Sequence, residues 1–250
     1  MLTRAARQKF LRDLRGAAAV EFALVFPMLI ALLAGSYELA RAIQTGRRLT
    51  ALVDTISMML AATPAAAAAS GATPATTGAV NHVTLHYAHD ATMVMFPDVL
   101  ADSYAKGKAW GADISISMAG VSFTLAHGCT TASTSAACYV AKVTWTGDAK
   151  TRACGATLAS ASDTATPSSS TLPVDLFTPV STQVANIYSA PPPVIVVDVA
   201  FTWTPRAFSS LVSPITIRRS AYVYARYMDE VKYQKVSGDD GFGQRCPSES

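Results

Sequence analysis

Three sets of residues have the types and spacing to do chemistry. The first is Glu21, a carboxylate inside GAAAVEFALVFPMLIALLAG, Gly16–Gly35, which is otherwise apolar. A carboxylate deep in a bilayer costs on the order of 2.5–3.5 kcal/mol, so it marks a function or is not deep. Glu21 lies six residues past Arg15, roughly 9 Å along a helix, and headgroups or a basic side chain are within its reach. The second set is four cysteines, Cys129, Cys138, Cys154 and Cys246. None forms a CxxC pair, and no histidine stands at zinc-finger spacing. The third is His82, His86 and His89 in NHVTLHYAHD. On a helix these share one face; on a strand His89 faces away from the other two. With only Asp90 nearby, a solvated polar face is the simpler reading, and no metal is expected.

The element that carries Glu21 is a membrane span. Half of the 250 residues are hydrophobic and 15% are charged. Five of the 20 basic residues, Arg4, Arg7, Lys9, Arg12 and Arg15, stand in the first sixteen positions against the single acid Asp13. The remainder holds 15 basic and 16 acidic groups, so the body lacks the basic face a nucleic-acid binder needs. Residues 17–37 cover roughly 31 Å as a helix, one hydrocarbon thickness, and Pro27 is tolerated in such a segment. Basic residues before the run hold that end in the cytoplasm. Signal-peptide cleavage after the run is disfavoured by Leu33 and Leu32 at the −3 positions, and Ser36 stands where a lipoprotein has cysteine.

A glycine, four apolar residues and Glu-Phe behind a basic leader resemble the class III signal of type IV pilins and pseudopilins. RGAAAVEFALVFPMLIALLAGSYELARA narrows this: it resembles the opening of TadE/TadG-like minor pseudopilins of the tight-adherence (Flp, type IVc) pilus. PVIVVDVAFTWTPRAFSSLVSPITIRRSAYVYARY is a weaker likeness to the end of such proteins. The resemblance implies cleavage between Gly16 and Ala17 by a membrane prepilin peptidase. It makes Glu21 and Phe22 assembly residues, with Glu21 meeting a neighbouring subunit's amino group. It implies a type IV pilin-like α+β fold. The implied partners are the prepilin peptidase, other Tad pilins and pseudopilins, the inner-membrane assembly platform and the lipid bilayer; no nucleic acid and no cofactor are implied. An uncleaved, signal-anchored periplasmic scaffold or adhesion protein is the alternative. GxSxG, HExxH, P-loop and GxGxxG are all absent, His127 reads as a loop residue, and no catalytic residue is expected; a membrane-anchored envelope hydrolase is the enzymatic alternative.

The remaining chain is then expected to be periplasmic or extracellular, where four cysteines suggest two disulfides. Three connectivities exist; the favoured one joins Cys129 to Cys138 across GCTTASTSAAC and lets Cys154–Cys246 pin the tail.

The expected division is a leader at 1–16, a span at 17–37, an amphipathic continuation of the helix at 38–62, an Ala/Thr/Pro-rich linker at 63–79, an α+β domain at 80–236 and a loose polar tail at 237–250. Leu39, Ile43, Leu49, Val53, Ile56 and Leu60 give the continuation its apolar stripe. Valine and methionine spacing after His82 predicts a second helix ending near Lys106. Beyond Gly111 the period becomes two. Ile114, Ile116 and Met118 mark one strand, and Tyr139, Ala141, Val143 and Trp145 another. Ile195 to Trp203 gives the clearest apolar face, and Ile215, Ile217, Tyr222 and Tyr224 a further strand. TLASASDTATPSSSTLP reads as a polar loop. Four or five antiparallel strands packed on the long helix are expected. Tyr222, Tyr224 and Tyr227 read as packing, or as a subunit contact.

Overall fold

Leu14–Ala61 forms one unbroken helix, α1, of 48 residues in the computed structural model. The model describes residues 14–62, 77–130, 135–162, 168–178, 191–207, 212–225 and 230–247. Alanine and leucine dominate α1, and both favour helix. Pro27 lies inside it without ending it. Pro64, three residues beyond the last helical position, has no N–H with which to continue the ladder.

A short strand, β1 (Thr77–Val80), leads into α2 (His82–Met95). Asn81 caps α2, its side chain accepting from the Thr84 amide at 3.0 Å. The single helix expected up to Lys106 is two. Pro97 forces Phe96 out of helical geometry (φ −129°, ψ 70°), and α3 (Asp98–Lys106) starts afresh. Gly107, at φ 63°, closes α3 in the left-handed conformation that glycine adopts without cost.

Among the described residues eight more strands follow: β2 (Ile114–Leu125), β3 (Tyr139–Asp148), β4 (Thr157–Ala161), β5 (Thr171–Pro173), β6 (Val194–Trp203), β7 (Ile215–Tyr224), β8 (Glu230–Tyr233) and β9 (Gly243–Arg245). Seven form one sheet in the order β5-β4-β3-β2-β6-β7, with β9 also on β3; β1 and β8 pair separately and in parallel. The fold is α+β, a long N-terminal apolar helix followed by a mostly β region. The strand number exceeds the four or five expected. The additional strands β1, β4, β5, β8 and β9 have at most five residues each, too few for alternation to register. β4 and β5 come from the two ends of the segment expected to be a polar loop, and they pair in parallel. β9 comes from the tail expected to be loose except where Cys246 fixes it, and it ends at the residue before Cys246.

Two compact units divide the chain: Met1–Thr45 with Thr204–Pro214, and Gly46–Trp203 with Ile215–Ser250. In the second unit Ile114, Ile116 and Met118 of β2 share a face with Val197, Val199 and Phe201 of β6, as their pairing requires. Phe96 crosses Phe201 edge to face on that side. There too Arg219, paired with Val199, donates to Thr50 Oγ1 of α1 at 3.1 Å. Leu49, Leu52, Val53, Ile56 and Leu60 of α1 are buried, so the expected apolar stripe is realised beyond Leu39 and Ile43, which stay exposed. The opposite face holds Val121, Phe123, Ala141, Val143, Val194 and Val196, packed with Leu176 and Phe177.

One expected alternation changes side. Tyr139, Ala141, Val143 and Trp145 read as one face, but the register shifts between Gly120 and Val121. This β-bulge at Thr144 turns Trp145 to the side opposite Val143. The Trp145 indole then fills the space a Cβ at position 120 would need, which is why glycine stands there.

Candidate membrane and assembly segment

The first part of α1 presents its apolar side chains outward: every residue from Ala19 to Leu33 is exposed. Among the described residues this is the one helix long and apolar enough to cross a membrane, and none of its most apolar window is buried. Burying such a surface in lipid is the favourable outcome, because water contact with it is costly.

Gly16 and Ala17 lie on the helical backbone of α1; their side chains are outside the described set. Glu21 follows Ala17 by four residues, one helical turn. Its side chain is exposed, and among the described residues no group pairs with it. Phe22 stacks on Phe26 with ring centroids 5.2 Å apart, the i, i+4 pairing a helix provides. A carboxylate exposed on a greasy helical surface, with no partner among the described residues, is suited to meet a cation.

At the other end of the apolar run sits a carboxylate that sequence reasoning missed. Glu38 Oε1 accepts the backbone N–H groups of Arg206 (3.0 Å) and Ala207 (2.8 Å). Arg41 Nη1 donates to Oε2 at 3.3 Å, and the Arg41 guanidinium lies 5.9 Å from the Tyr37 ring centre. Glu38 was legible as the first charge past the run. Its partners, 168 and 169 positions away, were not.

The cysteines pair as Cys129–Cys138 and Cys154–Cys246, with Cα separations of 5.6 and 5.2 Å. The second pair anchors β9 beside β3, and the Cys246 amide adds a bond to the Thr144 carbonyl at 2.8 Å. Tyr222 packs against the buried core and Tyr224 does the same; Tyr227 lies outside the described residues.

His82, His86 and His89 do share one face of α2, but that face is not simply solvated. His86 Nε2 meets Asp240 at 2.8 Å and stacks on Phe242 at 4.0 Å. His89 lies 3.1 Å from Asp90 and 3.4 Å from Asp148. Backbone hydrogen bonding from Phe242, then His86, lowers the Asp240 pKa. Burial raises that of Asp148 against the opposing pull of His89. Among the described residues no group of three or more His, Cys, Asp or Glu is disposed to hold a metal. The cluster fastens the tail to α2.

Residues 16–72 match the family model of TadE-like proteins. No curated protein and no solved structure matches the chain. The TadE-like region opens at Gly16, takes in Glu21, Phe22 and Glu38, and runs through the end of α1; the sheet lies outside it.

Proposed function

We propose that the chain is a minor pseudopilin, a non-catalytic structural or assembly subunit of a Tad/Flp-type pilus. The TadE-like match, with Gly16 as its first residue, carries this reading. In it, residues 1–16 are a leader removed by a prepilin peptidase after Gly16, and residues 17–37 span the inner membrane with the N-terminus cytoplasmic. Residues 38–62 continue the helix, 63–79 are a linker, and 80–236 form the periplasmic domain with 237–250 as its tail. The protein enters, or works beneath, a pilus together with other Tad pilins and the assembly platform.

The mechanism is electrostatic. Cleavage frees an α-amino group at Ala17 on the helix that carries Glu21. In a bundle of such helices the carboxylate of one subunit neutralises the amine of its neighbour. Two charges that each cost several kcal/mol alone in an apolar medium become one hydrogen-bonded pair. The exposure of Glu21 supports this, as does the Phe22–Phe26 stack beside it.

Intact mass and N-terminal sequencing of the membrane-extracted protein, with and without the peptidase, test the proposal. An N-terminus at Ala17 that appears only with the peptidase is expected. Glu21→Val should then weaken pilus incorporation while the two disulfides still form. An N-terminus at Met1 or Leu2 under both conditions would make the chain a signal-anchored periplasmic scaffold.

A further inference from the structure

The two ends of the larger sheet differ. β5 closes one end with three residues, the last of them Pro173; a short strand with proline is one way an edge is kept from pairing further. β7 closes the other end with ten residues, free of proline and glycine. Its register with β6 is unbroken from Ile215 to Tyr224. Bonding alternates along an antiparallel strand. The Ala225 amide donates to the Pro193 carbonyl at 2.9 Å, which sets the phase: Ile217, Arg219, Ala221 and Val223 bond towards β6. Thr216, Arg218, Ser220, Tyr222 and Tyr224 therefore direct their N–H and C=O groups away from the sheet. All of these residues are exposed or half-buried, and among the described residues no strand pairs with that side. The Arg218 carbonyl accepts from Arg219 Nη1 at 2.8 Å, a side-chain bond that an incoming amide can replace.

The side chains along this edge define what suits it. Arg218, Tyr222 and Tyr224 lie on the face opposite α1, in register with Ala200, Val196 and Val194. Arg219 lies on the α1 side, where its Nε holds Thr50. Both arginines are exposed, and β7 contains no acidic residue. The Asp198 carboxylate on the adjoining strand is already held by Arg152 and Ser220. A strand added here meets a cation on each face. Opposite charges across a ladder stabilise the pairing, and like charges directly opposite weaken it. A second copy of β7 would bring both arginine pairs to one seam, whereas an acidic strand neutralises them. Tyr222 and Tyr224 offer broad surfaces to apolar neighbours across the ladder.

We infer that the free edge of β7 takes up an extended strand from another protein, with a carboxylate opposite Arg218 and apolar side chains opposite Tyr222 and Tyr224. Backbone bonds supply the attachment, and the side chains select the partner. The edge lies outside residues 16–72, so the inference stands apart from the pilus reading.

Residue-resolved hydrogen exchange on the full chain in detergent, with both disulfides intact, tests it. The probe is a capped nine-residue peptide of threonine and valine with one glutamate and with valines four and six positions from it, made in both chain directions. In the free protein the amides of Ser220 and Tyr222 should exchange faster than those of Arg219 and Ala221. One of the peptides should slow the amides of Arg218, Ser220 and Tyr222 and leave the intervening ones unchanged, a pattern that contact through side chains alone does not produce. Lysine in place of the peptide's glutamate should weaken binding about tenfold. Arg218→Glu should reverse that preference. If the outward amides of the free protein are already as slow as the intervening ones, the edge is covered and the inference fails. If they slow with protein concentration alone, a second copy fills the edge, which overturns the acidic partner. No protection at about 1 mM of either peptide overturns strand addition. Protection indifferent to the sign of the peptide's charge overturns the selection by Arg218.

Discussion

Removing the Cys154–Cys246 disulfide should cost more than removing Cys129–Cys138, by an amount that sequence separation sets. The bonds close segments of 92 and 9 residues. Cross-linking restricts the unfolded chain more as the closed loop grows. The chain-entropy relation gives about 4.6 kcal/mol for the long loop and about 2.6 kcal/mol for the short one. The difference, about 2 kcal/mol, depends only on the ratio of loop lengths. Local bonds around Cys246 remain when sulfur is lost. β9 still pairs with β3 through Trp145 and Arg245, and the Cys246 amide still reaches the Thr144 carbonyl. The loss therefore falls mainly on the unfolded state. Alanine at both positions of each pair avoids stray thiols and a buried hydroxyl at position 246, which is 1% exposed. Urea unfolding of the detergent-solubilised protein, followed by tryptophan fluorescence, reads the change, because Trp145 is buried under this region. At a slope of about 2 kcal/mol/M the two midpoints should differ by roughly 1 M. Equal losses, or a larger loss for the Cys129–Cys138 pair, would refute the reasoning.

Arg152 is fully buried and grips Asp198 with two nitrogens at 2.8 and 3.2 Å, a third donating to the Thr171 carbonyl at 3.0 Å. Arg152→Ala removes the cation from Asp198, leaving the Ser220 hydroxyl on its Oδ1, and should cost about 3–5 kcal/mol in the same urea assay; lysine, lacking the planar fork, should restore only part of it. Gly120→Ala drives a methyl into the Trp145 indole and should cost about 1–3 kcal/mol, with a visible change in the near-ultraviolet signal of tryptophan. Asp239 and Asp240 have lowered pKa values, chiefly from backbone N–H bonds of Gly241 and Phe242 respectively, then from Tyr233 and His86. A lowered folded pKa gives stability that is present above the ordinary value, near 4, and is lost as pH falls through the folded one. Asp148, raised first by burial, has the opposite sign: its contribution is present at low pH and fades as pH rises. Protection of the Gly241 and Phe242 amides should therefore drop below about pH 4, ahead of the sheet amides; simultaneous loss would argue against a local tail clasp.

What the sequence disclosed divides by range. α1 was legible because a helix records its environment every three or four residues, and the run from Ala17 to Leu60 is long. β2, β3, β6 and β7 were legible because each is ten or more residues long and contains a stretch in which apolar residues alternate. The bulge that turns Trp145 over was not, because an extra residue in β3 leaves the apolar pattern of its neighbours intact. The helix break at Phe96 had a signal in Pro97, one residue on, that outweighed the favourable spacing around it. β9 depends on a partner remote in the chain and carries no pattern of its own, and the alternation of β8, Glu230–Tyr233, is too short to register. The two glutamates that flank the apolar run show the same division at the candidate site. Glu21 was conspicuous because its meaning is local: a carboxylate, a glycine five residues earlier and apolar neighbours. Glu38 was equally visible as a residue, yet its role belongs to the backbone of Arg206 and Ala207, groups every residue possesses and no sequence pattern marks. A carboxylate whose partners are side chains can be sought among the arginines and lysines. One whose partners are amides becomes intelligible only when the fold brings a loop to it, and here the loop arrives where the helix leaves the apolar run.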